Sequence, residues 1–249
     1  MNNTKNISCI IPVYNRQKYI NSAIDCILNQ SLKPDEIIVV DNSSINISID
    51  QKFLDKIKVF KIVPAAGLAQ TLNFGASVAK GKYISFLEDD DYWPKNYLEE
   101  IYRENNLQYD YIVTPMKRLK NNEITFYKNP KDKITLNDFL VGNPGINISN
   151  LSLKKSSFFA VGGFDLDLTI SVDKNLVIKF IQNNYKNIVC EAVSVVKRHH
   201  GENLTFSDNL KIYLKNLRKF YFKYNHLMSL KIKIKFFIKY LYFRFIKKI

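Results

Sequence analysis

The sequence predicts an α/β fold, a Rossmann-like and mostly parallel central sheet with flanking helices, followed by a basic helical tail. Three observations carry this expectation. Short β-branched runs alternate with helix-spaced segments from Ile7 to Leu87. The runs end in polar residues, where open parallel sheets place their ligands. Positive charge is concentrated beyond Lys211, away from the alternating region.

Ile7 to Val13 and Glu36 to Val40 read as strands, and Lys18 to Asn29 between them sets Ile20, Ala23, Ile24, Ile27 and Leu28 at helical spacing, giving a βαβ unit. Ile57 to Val63 is a third strand, Leu68 to Ala79 a helix stopped by Gly81, and Tyr83 to Leu87 a fourth strand. A helix opens at Pro94, a residue suited to a first turn, and runs to about Asn105. Tyr109 to Pro115 is a further strand, Met116 to Pro130 a polar hairpin or excursion, and Asn143-Pro144-Gly145 a loop. Ser157 to Gly163 leads into Gly162-Gly163-Phe164-Asp165, a helix follows near Asp173 to Asn183, and Ile188 to Val196 makes one late strand. The loop Lys197-Arg198-His199-His200-Gly201-Glu202-Asn203 precedes the tail, so the domain expectation is 1–207 for the α/β unit and 208–249 for the tail.

A chain of 249 residues, 46% hydrophobic, can bury one core and carry an appendage. Cys9, Cys26 and Cys190 are odd in number and lack C-x-x-C spacing, which argues against a disulfide framework or zinc cluster and for a reducing cytosol. The polar start and the Pro12-interrupted apolar run do not read as a signal peptide, and no stretch reaches the roughly 20 apolar residues that span a bilayer. Of the net charge of +14, +12 arises from Lys211 onward, where Asp and Glu are absent. That asymmetry argues against a generally basic nucleic-acid binder.

The strongest chemical signal is Phe86-Leu87-Glu88-Asp89-Asp90-Asp91-Tyr92-Trp93, four acids at the end of a buried strand. Such a cluster suits a hard cation, Mn²⁺ or Mg²⁺, that keeps positions open for phosphate. The plainer alternative is a solvated acidic turn ahead of the helix at Pro94. Tyr14-Asn15-Arg16 and Asp41-Asn42-Ser43-Ser44 fall at the same sheet edge, so three polar loops converge.

Five segments in order carry a resemblance: Ser8-Cys9-Ile10-Ile11-Pro12-Val13-Tyr14-Asn15-Arg16; Asp35 to Ser44; Asn73-Phe74-Gly75 with Ala79 to Leu87 and the acids; Gly162-Gly163-Phe164-Asp165 with Asp173; and Arg198 to Asn203. From about Ser8 to Ser207 the chain resembles the family 2 glycosyltransferases of the GT-A fold. The resemblance implies an inverting, metal-dependent enzyme that moves a hexose from a UDP-sugar to a saccharide hydroxyl in cell-surface polysaccharide, lipooligosaccharide or capsule synthesis. The acceptor would be lipid-linked and the enzyme cytoplasmic, peripheral to the inner face of the cell membrane. It implies Asp173 as general base, which inversion in one step requires. Pro12, Tyr14, Asn15, Arg16, Asp41, Asn73, Asp89 and Asp90 would bind the donor, Asp41 through uracil or ribose. Asp90, Asp91 and His200 would hold Mn²⁺ or Mg²⁺.

The chain departs from the family pattern at Glu88, which stands for the first Asp of a D-x-D motif, at Val172 for a Glu, at Leu72 for an Arg, and at Asn42 for a second Asp. A sugar-nucleotide pyrophosphorylase would share the sheet but needs a glycine-rich phosphate loop, and Val13-Tyr14-Asn15-Arg16-Gln17 has no glycine. A second alternative is a non-catalytic membrane or nucleic-acid binding module whose site has decayed at Glu88, Leu72 and Val172. The tail interleaves its cations with eleven aromatics, and Lys231, Lys235 and Lys239 form one helical stripe, a pairing suited to an anionic membrane surface. A helical hairpin packed on the domain, or a homodimer contact, would also use those aromatics. No nucleic-acid partner is expected.

Overall fold

The computed structural model describes residues 6–105, 108–128, 130, 134–169, 171–200 and 210–246. Strand β1 (Ile7–Val13) is buried along its whole length, because an apolar, β-branched run can fill a parallel sheet covered on both faces. Helix α1 (Gln17–Leu28) crosses to β2 (Glu36–Asp41), and β3 (Lys58–Lys61), α2 (Leu68–Val78) and β4 (Tyr83–Phe86) complete the alternation. After α3 (Tyr97–Asn105) come β5 (Tyr111–Val113) and the hairpin β6 (Met116–Lys120) and β7 (Glu123–Lys128). Its two-residue turn puts Asn121 and Asn122 at φ 51° and 64°, the left-handed pair that a tight hairpin requires. The remaining elements are α4 (Leu136–Val141), β8 (Leu151–Lys154), α5 (Lys155–Ala160), α6 (Val172–Gln182), β9 (Asn187–Val189), β10 (Val195–Arg198), α7 (Leu210–Tyr224) and α8 (Leu230–Leu241).

The main sheet has seven strands in the order β3-β2-β1-β4-β8-β5-β9, and a small sheet has the order β10-β6-β7. Both neighbours of β1 are parallel to it, with Val13 opposite Asp41 and Ile10 opposite Phe86, so the carboxyl ends of β1, β2 and β4 share an edge. The antiparallel strand β8, between β4 and β5, lies in a stretch that the sequence does not mark as a strand, and it makes the sheet mostly rather than wholly parallel. Ile188 to Val196 is two strands and not one. The chain leaves the main sheet after β9, and at β10 it joins β6, with Val195 N–H bonded to the Pro115 carbonyl at 3.0 Å.

Alternation along the strands sorts side chains to two cores. Ile10, Ile38, Val40, Ile84 and Phe86 face α2 and α6, while Cys9, Ile11 and Val39 face α1 and α3. A Cβ on Gly75 of α2 would lie 2.6 Å from Ile10 Cγ2, so only glycine lets the helix sit this close to β1. The C-terminal helices join the first core through Phe220, Tyr224, Met228, Ile232 and Phe236. Among the described residues no helix is long and apolar enough to cross a membrane. The expected boundary at 207/208 lies outside the described residues.

Candidate active site

The four acids follow β4 directly, and Asp89, Asp90 and Asp91 are only 4%, 4% and 3% exposed. A solvated acidic turn is therefore ruled out, and buried carboxylates need partners. Arg16, just beyond β1, supplies them: its Nη1 donates to Asp89 Oδ1 at 2.9 Å and to Asp90 Oδ2 at 2.7 Å. His200 Nε2 lies 2.9 Å from the same Asp90 oxygen. Asp91 accepts from Ser149 Oγ at 2.7 Å and from the Arg198 amide at 3.0 Å, while Arg198 Nε donates to the Asp90 carbonyl at 3.1 Å. Lys197 Nζ stands 3.6 Å from Glu88 Oε2.

These contacts leave the cluster short of compensation. Asp89 Oδ2 and Glu88 Oε2 are buried without a hydrogen-bond partner among the described residues. Burial pushes the Asp89 carboxyl up to about 8, the Arg16 charge opposing and Asp90 and Glu88 adding to the rise. Burial raises Asp91 to about 7, with Lys197 opposing and Asp90 and Glu88 adding. Burial works against the Lys197 ammonium, yet Glu88, Asp91, Asp90 and Asp173 hold it well above the ordinary lysine range.

A cavity of 490 Å³ opens beside the cluster, lined by Pro12, Tyr14, Asn15, Arg16, Asp89 and Thr169 among others. Five residues expected to bind a donor thus face one space. Tyr14 is 44% exposed, available as a ring surface. Asn15, at φ 56°, clips the loops together: its amide donates to Ser43 Oγ at 2.8 Å and its Oδ1 accepts from the Ser44 amide at 2.9 Å. Asp41 is buried behind them, accepting from the Ser43 amide at 2.8 Å and from Lys61 Nζ at 2.7 Å. Asn73 is spent elsewhere. Its side chain donates to the Phe164 carbonyl and accepts from the Phe164 amide, both at 2.8 Å. A second cavity, 480 Å³, lies at the opposite end of the sheet by Asp25, Lys33 and Glu36 and touches none of these residues.

Asp173 opens α6 after Ser171, whose φ of 62° turns the chain into the helix. It is half-buried by area but closely ringed by protein, and burial raises its carboxyl to about 6. The Lys174 amide opposes that rise, Glu88 adds to it, and Lys197 and Lys174 oppose it. Glu88 and Lys197 thus act on both Asp173 and the acidic cluster. Gly201, Glu202 and Asn203, quoted with His200, lie outside the described residues.

Sequence reasoning missed Ser149 and Thr169. Ser149 sits in a 3₁₀ turn (Ile148–Asn150), where its hydroxyl accepts from the Glu88 amide at 3.0 Å while donating to Asp91, and its carbonyl takes the Trp93 indole N–H at 2.7 Å. Nothing local marks either residue. The Tyr19 ring, which the sequence places only within a helix, lies 5.0 Å from that of His200 and 5.2 Å from the Arg198 guanidinium.

A buried acidic strand end beside a cleft at the carboxyl edge of a mostly parallel sheet is where open α/β enzymes place their ligands. Residues 8–166 match the family model described as Glycosyl transferase family 2, and the chain belongs to this family. An uncharacterized glycosyltransferase of Haemophilus influenzae is 26% identical over 182 residues, 71% of this chain and 62% of that protein. One of Rickettsia typhi is 33% identical over 187 residues, 71% of this chain and 58% of that protein. The chain thus spans under two thirds of the length of these relatives. Among solved structures, residues 1–349 of S. aureus TarS in complex with UDP-GlcNAc align at TM-score 0.64 and 19% identity, covering 97% of this chain and 73% of that one. GalNAc-T7 with UDP, GalNAc and Mn²⁺ aligns at TM-score 0.67 and 17% identity, covering 88% and 48%. The fold is therefore of the GT-A type.

Proposed function

We propose that the chain is an inverting glycosyltransferase that moves a hexose from a UDP-sugar to a saccharide hydroxyl in cell-surface glycan synthesis. The observation that carries this reading is the set of buried, under-compensated aspartates at the rim of the cleft, with Asp173 sharing their charged neighbours. A UDP-sugar donor is supported by the TarS complex with UDP-GlcNAc, and a surface-glycan role by a poly(ribitol-phosphate) beta-glucosyltransferase of Bacillus spizizenii, 34% identical over 94 residues, 34% of this chain and 15% of that protein.

In this reading Tyr14 and Asp41 meet the nucleoside, and Arg16 and His200 face the diphosphate. Asp173 takes the proton of the acceptor hydroxyl as its oxygen bonds to the anomeric carbon. The bond from that carbon to the diphosphate oxygen breaks, and UDP leaves with the electron pair.

Among the described residues no group of three or more His, Cys, Asp or Glu side chains is arranged to hold a metal ion. The donor chemistry nevertheless fits a divalent cation, because Asp90 and His200 converge and the neighbouring Asp89 Oδ2 is buried without a partner. Asp90 and His200 would hold Mn²⁺ or Mg²⁺; Asp91, tied to Ser149 and Arg198, would support them. When bound, such an ion stabilises negative charge on a leaving diphosphate. The acceptor is proposed to be lipid-linked and the enzyme to work at the inner face of the membrane, a reading supported by the exposed Leu230, Ile234, Phe237 and Ile238 of α8.

The test is UDP release from a panel of UDP-, GDP- and TDP-sugars, with Mn²⁺ or with chelator, beside Asp90→Ala. Mn²⁺-dependent release from a UDP-sugar, lost in the variant, is expected. No release and no UDP binding by calorimetry would favour the binding-module reading.

A further inference from the structure

Asn216, Lys219 and Lys223 of α7 recur at i, i+3 and i+7 and so share one face of the helix. That face runs antiparallel to the segment from Asp165 to Thr169, which leads from the Gly162-Gly163 turn towards α6. Lys223 Nζ pairs with Asp165 Oδ2, and Lys219 Nζ donates to the Asp167 carbonyl at 2.7 Å. Asn216 holds Thr169 twice: its Oδ1 accepts the Thr169 amide at 3.0 Å and its Nδ2 donates to Thr169 Oγ1 at 2.7 Å. Its Nδ2 also donates to the Ile212 carbonyl at 2.9 Å. Beyond the loop the fastening continues into α6, on the residues that follow Asp173. Lys174 Nζ lies 3.7 Å from the centre of the Phe220 ring, and Asn175 Nδ2 donates to the Tyr224 hydroxyl.

Two features make this more than general packing. Asn216 is only 5% exposed, in a position where an apolar side chain would serve a helix interface, and its amide is directed at the backbone and hydroxyl of Thr169 rather than at another helix. Its partner Thr169 lines the cleft that holds Tyr14, Arg16 and Asp89. The same segment must deliver the left-handed Ser171 and then Asp173, and an uncommon backbone conformation persists only where its surroundings over-determine it.

We infer that Asn216 is a positioning residue of the transfer site: through Thr169 it fixes the cleft wall and the entry to α6, and so the place of the Asp173 carboxylate. The inference rests on the assignment of Asp173 as the base. A segment that composition marks as a membrane tail is, on its inner face, part of the reaction machinery.

The experiment uses the full chain with Asn216→Leu and Asn216→Asp. Leucine keeps the volume and the helix but removes both bonds to Thr169, whereas aspartate accepts from the Thr169 amide and hydroxyl alike. Three quantities are read: kcat for UDP release from the UDP-sugar selected by the donor panel, with water as acceptor; the calorimetric Kd for UDP; and hydrogen exchange of the 165–175 amides. For Asn216→Leu, exchange in that segment should quicken at least tenfold and kcat fall at least tenfold, with the Kd for UDP, whose cleft Thr169 also lines, rising far less than kcat falls. Asn216→Asp should recover most of both losses. Should Asn216→Leu fail to fold, the surface variant Lys219→Ala should still quicken exchange severalfold and lower kcat in proportion. An unchanged kcat, a UDP affinity that falls in step with kcat, or an aspartate variant no better than leucine would overturn the inference in an otherwise active enzyme. A wild-type chain that neither binds UDP nor releases it would instead remove the functional reading on which the inference depends.

Discussion

Asp173 illustrates how much one carboxylate is shaped by what surrounds it. In the role of general base proposed for it, Asp173 must be ionised to act, and burial, with Glu88 adding, lifts this group to about 6. The rate of transfer should therefore be full above that value and fall about tenfold per pH unit below it. The charged groups bearing on Asp173 are Glu88 after β4, Lys197 on β10 and Lys174 on its own helix. Glu88→Gln removes a like charge and should move the acid limb to lower pH, read from kcat/KM against pH. The same shift has a sign for stability. A carboxyl whose folded pKa is raised binds more protons folded than unfolded, so it costs the fold stability as pH rises from about 4 to about 6, and above that the loss stays constant. Asp173→Asn should thus raise Tm at pH 7, by about 1 to 3 kcal/mol of stability, while lowering kcat about 10²- to 10⁴-fold. A variant that loses activity through unfolding would show the opposite change in Tm.

Between residues and the whole lies the loop that leads into α6 and Asp173, held from two sides, by α7 and by Asn73 of α2. Gly163 sits at φ +61°, and a Cβ there would come within 2.7 Å of Asn73 Oδ1. Gly163→Ala should cost about 1 to 3 kcal/mol, seen as a Tm lowered by roughly 2 to 4 °C per kcal/mol, and Asn73→Ala a similar amount with the UDP affinity retained. Loss of UDP affinity in step with Tm would return Asn73 to the donor pocket. The elements that sequence could read are those whose pattern is their environment. Strands β1, β2 and β4 are buried on both faces and so appear as continuous apolar runs, and their polar tips mark the site edge. Strand β8 could not be read, because Ser152 in its centre faces Ser85 Oγ at 2.7 Å and breaks the apolar signal. The Ile188 to Val196 run conceals a change of sheet that periodicity does not register. The acids, Arg16 and His200 were legible through their types and order. Their mutual arrangement, and the parts played by Ser149, Thr169 and Asn216, depend on contacts across more than forty residues of chain and leave no local trace.

For the whole molecule, the decisive feature is that α8 has two apolar faces. Ile232 and Phe236 enter the core, while Leu230, Ile234, Phe237 and Ile238 recur at i, i+4, i+7 and i+8 on the other side and are 75%, 52%, 61% and 60% exposed. Lys231, Lys233 and Lys235 flank that stripe, and no Asp or Glu follows Lys211 in the sequence. Apolar side chains bordered by cations match the boundary between acyl chains and anionic headgroups, where each lysine near the surface adds about 1 kcal/mol and each buried Å² of apolar area about 25 cal/mol. The stripe should therefore hold the enzyme on anionic vesicles and not on neutral ones, with binding that weakens as salt rises. Ile234→Glu with Phe237→Glu should reduce co-sedimentation with phosphatidylglycerol vesicles at least tenfold and leave UDP release in solution unchanged, since neither residue touches the cleft. Equal binding by the double variant would assign the attraction to charge alone. A concentration-dependent dimer that the same double variant dissociates, with no vesicle binding, would make the stripe an interface between copies of the chain and remove the membrane from the account.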